Sequence, residues 1–325
     1  MSAPGGGGPD TLRLATRPQP TPDPGEVLVR VWASGVNRAD LLQRMGRYPA
    51  PEGAPSDVPG LEIAGEVADV APGMRAWSVG DRVMGLVGGG GYAEYVAVPA
   101  DHLLRIPEDW SFEQAAAVPE AFMTGFDALA QARLAAGDRV LIHAVGSGVG
   151  AALLQLARDA GATVAGTSRT EAKLRRAAAE LGLEHPVLVR DGVFEPLPWL
   201  RHWADVVCDL VGGPYLPGNL AAAALRGRIV VIGLTGGRSA AIDLGTLLAK
   251  RVTLVGTVLR SRTREEKAEL TRAFAKRVLP ALEAGRLRPI VDKVVPAADA
   301  AAAHRYMEAN SNFGAVVLVW GAGRE

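Results

Sequence analysis

The chain has 325 residues, which is long enough for two domains, and its 48% hydrophobic fraction supplies a sizeable core. Because 35 basic residues balance 35 acidic ones, charge gives no basis for binding nucleic acid or a membrane surface. The single cysteine, Cys208, excludes an intrachain disulfide and a zinc site of several thiolates, and we expect a cytoplasmic protein because neither a membrane span nor a signal peptide is visible.

The first third of the chain has the texture of an all-β domain. Four consecutive glycines at 5–8 predict a flexible start. Between residues 11 and 110, short runs rich in Val alternate with Gly and Pro turns, as in "GEVLVRVWASGV", "IAGEVADVAPG" and "GDRVMGLVGGGGYAEYVAVPA". Such runs predict short strands, and their spacing favours a small barrel.

From about residue 113 the pattern changes to alternating helices and strands. The stretch "FEQAAAVPEAFMTGFDALAQARLAAG" is helical, with Pro119 interrupting it and Gly137 ending it. Nearly unbroken apolar runs then predict strands. Segments with helical periodicity follow the first two of these strands and predict helices at 150–160 and at 170–181. Thr170 is expected to cap the second helix. The predicted strands are 139–145, 162–167, 204–211, 228–234 and 252–259.

These elements predict an α/β protein with a doubly wound parallel sheet. A charged helix at 262–284 follows, and strand texture returns in "RPIVDKVV" and "FGAVVLVW". We therefore expect a β-rich domain at 1–118, an inserted α/β domain at 119–260, and a segment at 261–325 that rejoins the first domain.

The stretch "HAVGSGVG" at 143–150 lies between a predicted strand and a predicted helix. The dinucleotide pattern G-x-G-x-x-[GA] aligns through Gly146 and Gly148, or one residue upstream through Ser147 and Gly150. Small residues let the backbone approach a pyrophosphate, and the N–H groups of a helix amino end, here near Gly150, bind it. The loop predicts a dinucleotide site, although a flexible strand–helix turn would look the same.

The end of the next strand bears on which dinucleotide binds. An NAD site usually has a carboxylate there, about 20 residues on, for the ribose 2′-hydroxyl. Here Ser168, Arg169 and Lys173 stand at this position, and Glu171 lies one turn into the helix. Hydroxyl and cationic groups suit a 2′-phosphate, so NADPH is favoured, unless both cations are merely solvated surface charges.

Eight stretches, taken in order over residues 25–320, resemble the zeta-crystallin-like quinone oxidoreductase branch of the medium-chain dehydrogenase/reductase family. They are "ASGVNRADLLQRMGRYP", "VPGLEIAGEV", "VGDRV", "GGGGYAEY", "PEAFMTGFDAL", "GDRVLIHAVGSGVG", "DVVCDLVGG" and "YMEANSNFG". The first stretch and "LRSR" are most similar to the stress-inducible NADPH quinone reductase subgroup. The resemblance implies a GroES-like β-barrel domain joined to a Rossmann domain with a doubly wound parallel sheet.

The resemblance also implies a set of cofactor-binding residues. Relatives carry A-x-x-[SG]-G-V-G in the loop, which selects the upstream register. After the third strand they often have Tyr followed by Arg or Lys, whereas this chain has Val189 and Arg190, a departure that weakens the prediction of NADPH. The residues implied are Thr124, Ala144, Ser147, Gly148, Val149, Gly150, Arg190, Gly233, Leu259 and Asn312.

Zinc-dependent alcohol dehydrogenases share this fold, but their metal ligands are replaced here. They use a Cys near the position of Asn37 and the His of "G-H-E", where this chain has "GLE" with Leu61. No metal is therefore expected. The resemblance places Asn37 and Tyr48 near the nicotinamide and the substrate as catalytic candidates; the alternative is that Asn37 only satisfies a turn and Tyr48 only packs on the barrel.

The sequence thus predicts a zinc-independent reductase that transfers hydride from NADPH to quinones. No acid–base motif stands out, and a hydroquinone oxygen can be protonated by water. The alternatives are an NADPH-dependent enoyl or alkenal double-bond reductase and a crystallin-like cofactor-binding protein with little turnover. A homodimer is expected through the strand at 252–259, since an apolar edge invites pairing.

Overall fold

The computed structural model describes residues 1–3 and 6–321. They form two compact units: Met1–Met123 together with the chain from Leu259 onward, and Thr124–Val258. The elements of the first unit are β1 Glu26–Val36, α1 Arg38–Arg44, β2 Glu62–Val70, β3 Arg82–Leu86, β4 Tyr95–Pro99, β5 Leu103–Arg105, α2 Phe112–Ala115, the start of α3 Pro119–Gln131, and then α8 Arg264–Arg277, α9 Leu279–Glu283, β12 Val291–Pro296, α10 Ala300–Glu308 and β13 Ala315–Val319. Those that follow within the second unit are β6 Arg139–Ile142, α4 Gly148–Asp159, β7 Thr163–Ser168, α5 Glu171–Leu181, β8 His185–Leu188, β9 Ala204–Asp209, α6 Leu216–Ala222, β10 Ala223–Val231, α7 Leu244–Lys250 and β11 Thr253–Gly256.

The first unit is built on a mostly antiparallel sheet. Its described strands run β12-β13-β1-β2-β3-β5, and β4 pairs with β1. Strand β13 lies antiparallel to β1, with Val317 opposite Gly35, so the end of the chain returns to the sheet of the first domain. Alternate side chains of β1, such as Val27, Val29 and Val31, are buried in the core, as period-2 strands require.

The beginning of the chain is more ordered than its glycines predict. The backbone N–H of Ala3 donates to the Asp57 carbonyl at 2.7 Å, and that of Gly7 donates to the Arg44 carbonyl at 3.0 Å. Leu12 is buried in the core of the first unit. The prediction of a flexible start is therefore wrong for the residues around these contacts, while Gly5 lies outside the described residues.

The second unit contains a six-stranded parallel sheet in the order β11-β10-β9-β6-β7-β8. The chain moves outward from β6 in one direction and from β9 in the other, so the strand order reverses between β6 and β9. In doubly wound sheets, ligands bind at the carboxyl ends of strands beside such a reversal. The predicted fold class, a GroES-like domain with a Rossmann-type parallel sheet, is confirmed.

Several predicted bounds are wrong for local reasons. Strand β6 ends at Ile142 rather than at 145, because Ala144 adopts a left-handed φ of 49°. The predicted strand 252–259 is only Thr253–Gly256, and it lies at the sheet edge with Leu254 exposed. The charged helix predicted at 262–284 is divided into α8 and α9, because Pro280 cannot continue the hydrogen bonds of a single helix.

Candidate functional site

The glycine loop joins β6 to α4 in the second unit. Ser147 is the N-cap of α4, and its Oγ accepts a hydrogen bond from the Gly150 N–H at 3.1 Å. Helix α4 consequently begins at Gly148, two residues before the predicted start near Gly150. On its other side the loop is tied to β7, since the Val145 N–H donates to the Thr167 carbonyl at 2.9 Å.

Gly150 is the position in this loop that admits no side chain. A Cβ there would lie 2.3 Å from the Ala144 carbonyl oxygen and 2.8 Å from the Val145 Cα. The backbone N–H groups of Gly148 and Val149 meet no acceptor among the described residues. Free N–H groups at a helix amino end attract anions, so the loop fits the pyrophosphate of a dinucleotide.

A buried chain of hydrogen bonds lies beneath the loop. The Asn219 Nδ2 donates to the Asp209 carboxylate at 2.8 Å, so its Oδ1 must accept from the His143 Nε2 at 2.6 Å. In the neutral ring with its proton on Nε2, Nδ1 accepts from the Thr167 hydroxyl at 2.9 Å. Burial lowers the pKa of His143, which favours the same neutral form. His143 supports the strand ends and has no catalytic geometry of its own.

The residues predicted to hold a 2′-phosphate follow neighbouring strand ends. Ser168 is the last residue of β7, and its carbonyl accepts from the Val189 N–H at 2.9 Å, just beyond β8. Arg169 and Arg190 therefore leave adjacent carboxyl ends of the parallel sheet, and both are exposed. The Ser168 hydroxyl is buried and accepts from the Thr170 N–H at 3.1 Å, which leaves its proton free to be donated.

The carboxylate nearest in sequence, Glu171, is engaged in an ion pair. Glu171 begins α5 and binds Arg175 one turn later at 2.8 Å, with both side chains exposed. Lys173 is half-buried on the first turn of the same helix. Thr170 occupies the N-cap position, but its hydroxyl makes no capping bond, so the predicted cap by this side chain is wrong.

Thr124 carries the one buried side-chain polar atom without a hydrogen-bond partner within the described part of the chain. It lies on α3, where a hydroxyl usually bonds back to a carbonyl of the preceding turn. Since an unmade bond at a buried hydroxyl is costly, the Thr124 Oγ1 fits a ligand that would complete it. Gly233 follows β10, and a Cβ there would lie 2.6 Å from the Leu210 carbonyl oxygen.

In the first unit, Asn37 is held by a buried carboxyl group. Its Nδ2 donates to the Glu62 Oε1 at 2.7 Å, and its backbone N–H donates to the Asp40 Oδ2 at 2.8 Å. Gly35 makes room for this arrangement, because a Cβ there would lie 2.0 Å from the Glu62 Oε1. Asn37 is also the N-cap of α1, where its side chain forms a capping box with Asp40, and its Oδ1 keeps a second lone pair that can accept from a ligand.

Glu62 and Glu120 form a pair of carboxyl groups beside Asn37. The Glu62 Oε2 accepts from the Glu120 backbone N–H at 2.8 Å, so both of its oxygens are bonded. Burial nevertheless raises the pKa of Glu62 to about 8. Burial likewise raises the pKa of Glu120 to about 7, with the negative charge of Asp40 adding to the shift. Neither residue was selected by the sequence patterns.

Tyr48 is half-buried in the loop after α1, and its hydroxyl has no partner among residues 1–3 and 6–321. The guanidinium of Arg260 lies 5.0 Å from the centre of its ring, and Nη1 donates to the Tyr48 carbonyl at 3.3 Å. The same guanidinium donates to the Gly88 carbonyl at 3.0 Å and to the Gln43 Oε1. Arg260, the arginine of "LRSR" that follows Leu259, therefore holds Tyr48 in place.

Two further residues that were predicted to bind the cofactor make hydrogen bonds to residues two or three positions away in the chain. The Leu259 carbonyl accepts from the Arg262 N–H at 3.1 Å, and its side chain is buried. The Asn312 Nδ2 donates to the Gly314 carbonyl at 2.7 Å. Both belong to the first unit, together with Asn37 and Tyr48, whereas the other predicted cofactor residues lie in the second unit.

The side chains at the positions of the zinc ligands do not fit zinc. Asn37 donates to Glu62 and Leu61 is buried and apolar. Among the described residues, no group of three His, Cys, Asp or Glu side chains is placed to hold a metal. Within the same residues, no helix is long and apolar enough to cross a membrane.

Sequence reasoning found the loop but missed the carboxyl groups. Glu62 stands in "GLE" and Glu120 in "PEAF", and both motifs were part of the resemblance. Glutamate is ordinarily a surface residue, so only its placement after a buried strand residue or at a Pro-led helix start could have singled it out. Glu62 and Glu120 are 58 residues apart in the chain, and only the tertiary structure brings them together.

Two family models match the chain. "Alcohol dehydrogenase GroES-like domain" matches residues 23–108, and "Zinc-binding dehydrogenase" matches residues 148–276. Among solved structures, the quinone oxidoreductase from Thermus thermophilus, also solved with NADPH, is 33% identical, with a TM-score of 0.80 over 95% of this chain and 96% of that one. The CurK enoyl reductase is 28% identical, with a TM-score of 0.83 over 97% of this chain and 96% of that one.

Curated relatives include polyketide synthases, a quinone oxidoreductase and the synaptic vesicle membrane protein VAT-1 homolog of Homo sapiens, which is 32% identical over 99% of this chain and 86% of its own length. The protein NorB of the spectinabilin polyketide synthase system of Streptomyces orinoci is 38% identical over 97% of this chain. This chain spans only 4–14% of the length of three polyketide synthases that it matches. The quinone oxidoreductase of Lama guanicoe is 31% identical over 96% of this chain and 94% of its own length. The chain belongs to the medium-chain dehydrogenase/reductase superfamily.

Proposed function

We propose that this protein is a zinc-independent, NADPH-dependent oxidoreductase that reduces quinones. The observation that carries the proposal is the glycine loop, where Gly150 allows close packing and the N–H groups of Gly148 and Val149 remain open for a pyrophosphate. Two solved relatives are described as complexes with NADPH. The bound cofactor would supply a hydride, and the protein would bind, orient and shield it.

The preference for NADPH over NADH rests on the end of β7. Ser168, Arg169, Lys173 and Arg190 would hold the 2′-phosphate, while Glu171 is engaged with Arg175. Thr124 would bond to the nicotinamide through its unpaired hydroxyl. The remaining proposed contacts are Ala144, Ser147, Gly148, Val149, Gly150, Gly233, Leu259 and Asn312, as the resemblance implies.

Asn37 and Tyr48 are the proposed groups that face the substrate. Glu62 fixes the amide of Asn37 so that its oxygen can accept, and Arg260 fixes the ring of Tyr48 so that its hydroxyl can donate. A phenol O–H aimed at a carbonyl stabilises negative charge that develops on the oxygen during reduction. These residues suit a quinone carbonyl, and the proposed subgroup is the stress-inducible quinone reductases.

Reduction of enoyl or alkenal double bonds is the second candidate function. The likeness to the CurK enoyl reductase and to polyketide synthases supports it. An enone also presents one carbonyl oxygen to Tyr48 and would accept a hydride at its β-carbon. The third possibility, a cofactor-binding protein with little turnover, would bind NADPH equally well but would oxidise it with neither substrate class.

The deciding experiment is a fluorescence titration with NADPH and NADH, followed by NADPH oxidation assays with a quinone panel and a 2-enal panel. Arg169→Glu should weaken NADPH binding about tenfold or more and leave NADH binding nearly unchanged. Arg201→Glu is the matched control, because this exposed arginine precedes β9 at the opposite end of the sheet. Equal binding of NADH by the unaltered protein would refute the 2′-phosphate site, and turnover of enals alone would favour the second candidate.

We further propose that a second copy of this chain is the partner. Strand β11 is an edge of the described sheet, and Leu254 on it is 43% exposed. Nearby in sequence, Leu248 of α7 and Val258 are also exposed. Pairing of two such edges would cover these apolar side chains. Light scattering should give the mass of a dimer, and a monomer at micromolar concentration would contradict the proposal.

The predicted domain bounds 1–118, 119–260 and 261–325 likewise stay a proposal.

A further inference from the structure

The carboxyl group of Glu120 has no assigned task, although it lies beside the proposed substrate-facing residues. Glu120 is the second residue of α3, and its backbone N–H binds the same carboxyl group, Glu62, that holds the Asn37 amide. It also acts electrostatically on Tyr48. The Glu62 carboxyl group thus links the Glu120 backbone to the Asn37 amide, and the charge of Glu120 acts on Tyr48.

The two carboxyl groups differ in how they are bonded. Both oxygens of Glu62 accept hydrogen bonds, which fixes this side chain as a support. The carboxyl of Glu120 has no hydrogen bond or ion pair to any described residue. Because it is partly buried yet keeps access to solvent or ligand, it can bind and release a proton without breaking a protein contact. Such pairs of carboxyl groups in different surroundings commonly divide supporting and acid–base roles.

The cations near Glu120 do not neutralise it. The three donor nitrogens of Arg260 are directed to the oxygens of Gln43, Tyr48 and Gly88. Lys267 donates to the Arg260 carbonyl at 2.9 Å. The buried carboxyl groups of Asp40 and Glu62 also interact electrostatically with Glu120, and both disfavour a further negative charge. Glu120 therefore faces two cations and two carboxyl groups and pairs with none of them.

We propose that Glu120 is the proton donor that completes reduction of the substrate. The proposal rests on the proposed reductase function. For an enone, hydride addition at the β-carbon leaves a pair of electrons shared by the α-carbon and the carbonyl oxygen. The Glu120 O–H bond then breaks as a new C–H or O–H bond forms on the substrate, and the resulting carboxylate recovers a proton from water. For a quinone, the same proton goes to the oxygen of the hydroquinone anion.

This role has a definite pH dependence. Burial and the charge of Asp40 raise the pKa of Glu120 to about 7, so the group is largely protonated below neutrality. A proton donor must be in its acid form, so turnover should be fastest below pH 7 and should fall as pH rises. The enone reaction should depend on Glu120 more than the quinone reaction, because protonation of carbon is slow whereas water readily protonates a phenolate oxygen.

The test compares Glu120→Gln and Glu120→Asp with Glu108→Gln, a control at an exposed position of the same unit. NADPH turnover with a 2-alkenal is measured from pH 5.5 to 9, and NADPH binding is measured by fluorescence. We expect Glu120→Gln to lower kcat by about a hundredfold or more at pH 6 and to abolish the decline near pH 7, with unchanged NADPH affinity. Glu120→Asp should restore part of the rate and of the pH dependence.

A second readout does not depend on turnover. Infrared difference titration of the cofactor-free protein should show a carboxyl band that disappears with a midpoint near pH 7 and is missing in Glu120→Gln. A variant that keeps the kcat and the pH profile of the unaltered protein would overturn the proposal while leaving the reductase function intact. Failure of the unaltered protein to reduce any enal or quinone would overturn both.

Discussion

Replacing Gly150 with alanine would test whether the glycine loop works by close packing. The added Cβ would lie 2.3 Å from the Ala144 carbonyl oxygen, whereas ordinary contacts begin at 3.4 Å, so the loop and α4 must separate by 1.1 Å. The three nearest atoms all belong to the backbone of Ala144 and Val145, which cannot rotate away as a side chain could. Overpacking of this kind costs about 1–3 kcal/mol, and the better helix propensity of alanine returns at most ~1 kcal/mol.

A backbone clash of this severity belongs at the upper end of that range, about 2–3 kcal/mol, so after a return of about 1 kcal/mol we expect a net loss of about 1–2 kcal/mol in the free energy of unfolding, or a fall of about 2–8 °C in Tm. The N–H groups of Gly148 and Val149 move with the helix, so the affinity for NADPH should fall by about tenfold or more. Calorimetry and fluorescence titration measure the two effects. Gly245→Ala is the control, because its Cβ would meet only the Asp243 carboxylate, at 3.2 Å. A Gly150→Ala protein with unchanged Tm and unchanged NADPH affinity would refute the close-packing argument.

Two further predictions concern buried polar groups. Thr124→Val should leave Tm unchanged or raise it, because the lost hydroxyl has no partner, yet it should weaken NADPH binding severalfold in a fluorescence titration; a lowered Tm with intact binding would contradict this. Glu62→Gln should flatten the pH dependence of the free energy of unfolding measured in urea. Since burial raises the pKa of Glu62 to about 8, its contribution to stability is complete below the unfolded pKa and is lost as pH rises through about 8, so the variant should gain stability relative to the unaltered protein at pH 9. An unchanged pH profile would refute the assignment of this titration to Glu62.

Local patterns predict five strands and two helices of the second unit, because these elements are marked by short-range signals, but they do not predict β8, α6 or α7. The apolar runs of the parallel strands and Gly182 after α5, with a φ of 68°, are examples of such signals. The same patterns overestimate strand length, since an apolar run continues past the point where the backbone turns. At β6 the turn is made by Ala144, a residue whose side chain carries no warning of a left-handed φ.

The candidate site likewise has one part that local sequence patterns predict and another part that they do not. The loop and the end of β7 are contiguous stretches whose residues can be proposed from spacing, whereas the register of the loop and the role of Arg190 after β8 come from the resemblance. The carboxyl cluster combines α1, β2, the start of α3 and Arg260, which are far apart in the chain. Apart from Leu61 before Glu62 and Pro119 before Glu120, nothing in the local sequence distinguishes these residues from surface glutamates, and only the fold shows that they lie together.

The return of β13 to β1 has a consequence for how the protein forms. The second unit is one continuous stretch, Thr124–Val258, so it can fold as soon as that stretch has been synthesised. The first unit cannot complete its sheet until Ala315–Val319 is made, because until then the Ala33–Val36 part of β1, beyond the part that β4 pairs, lacks its partner. For most of synthesis the growing chain therefore carries an open strand edge, and ribosome-bound nascent chains that stop before β13 should be the aggregation-prone species.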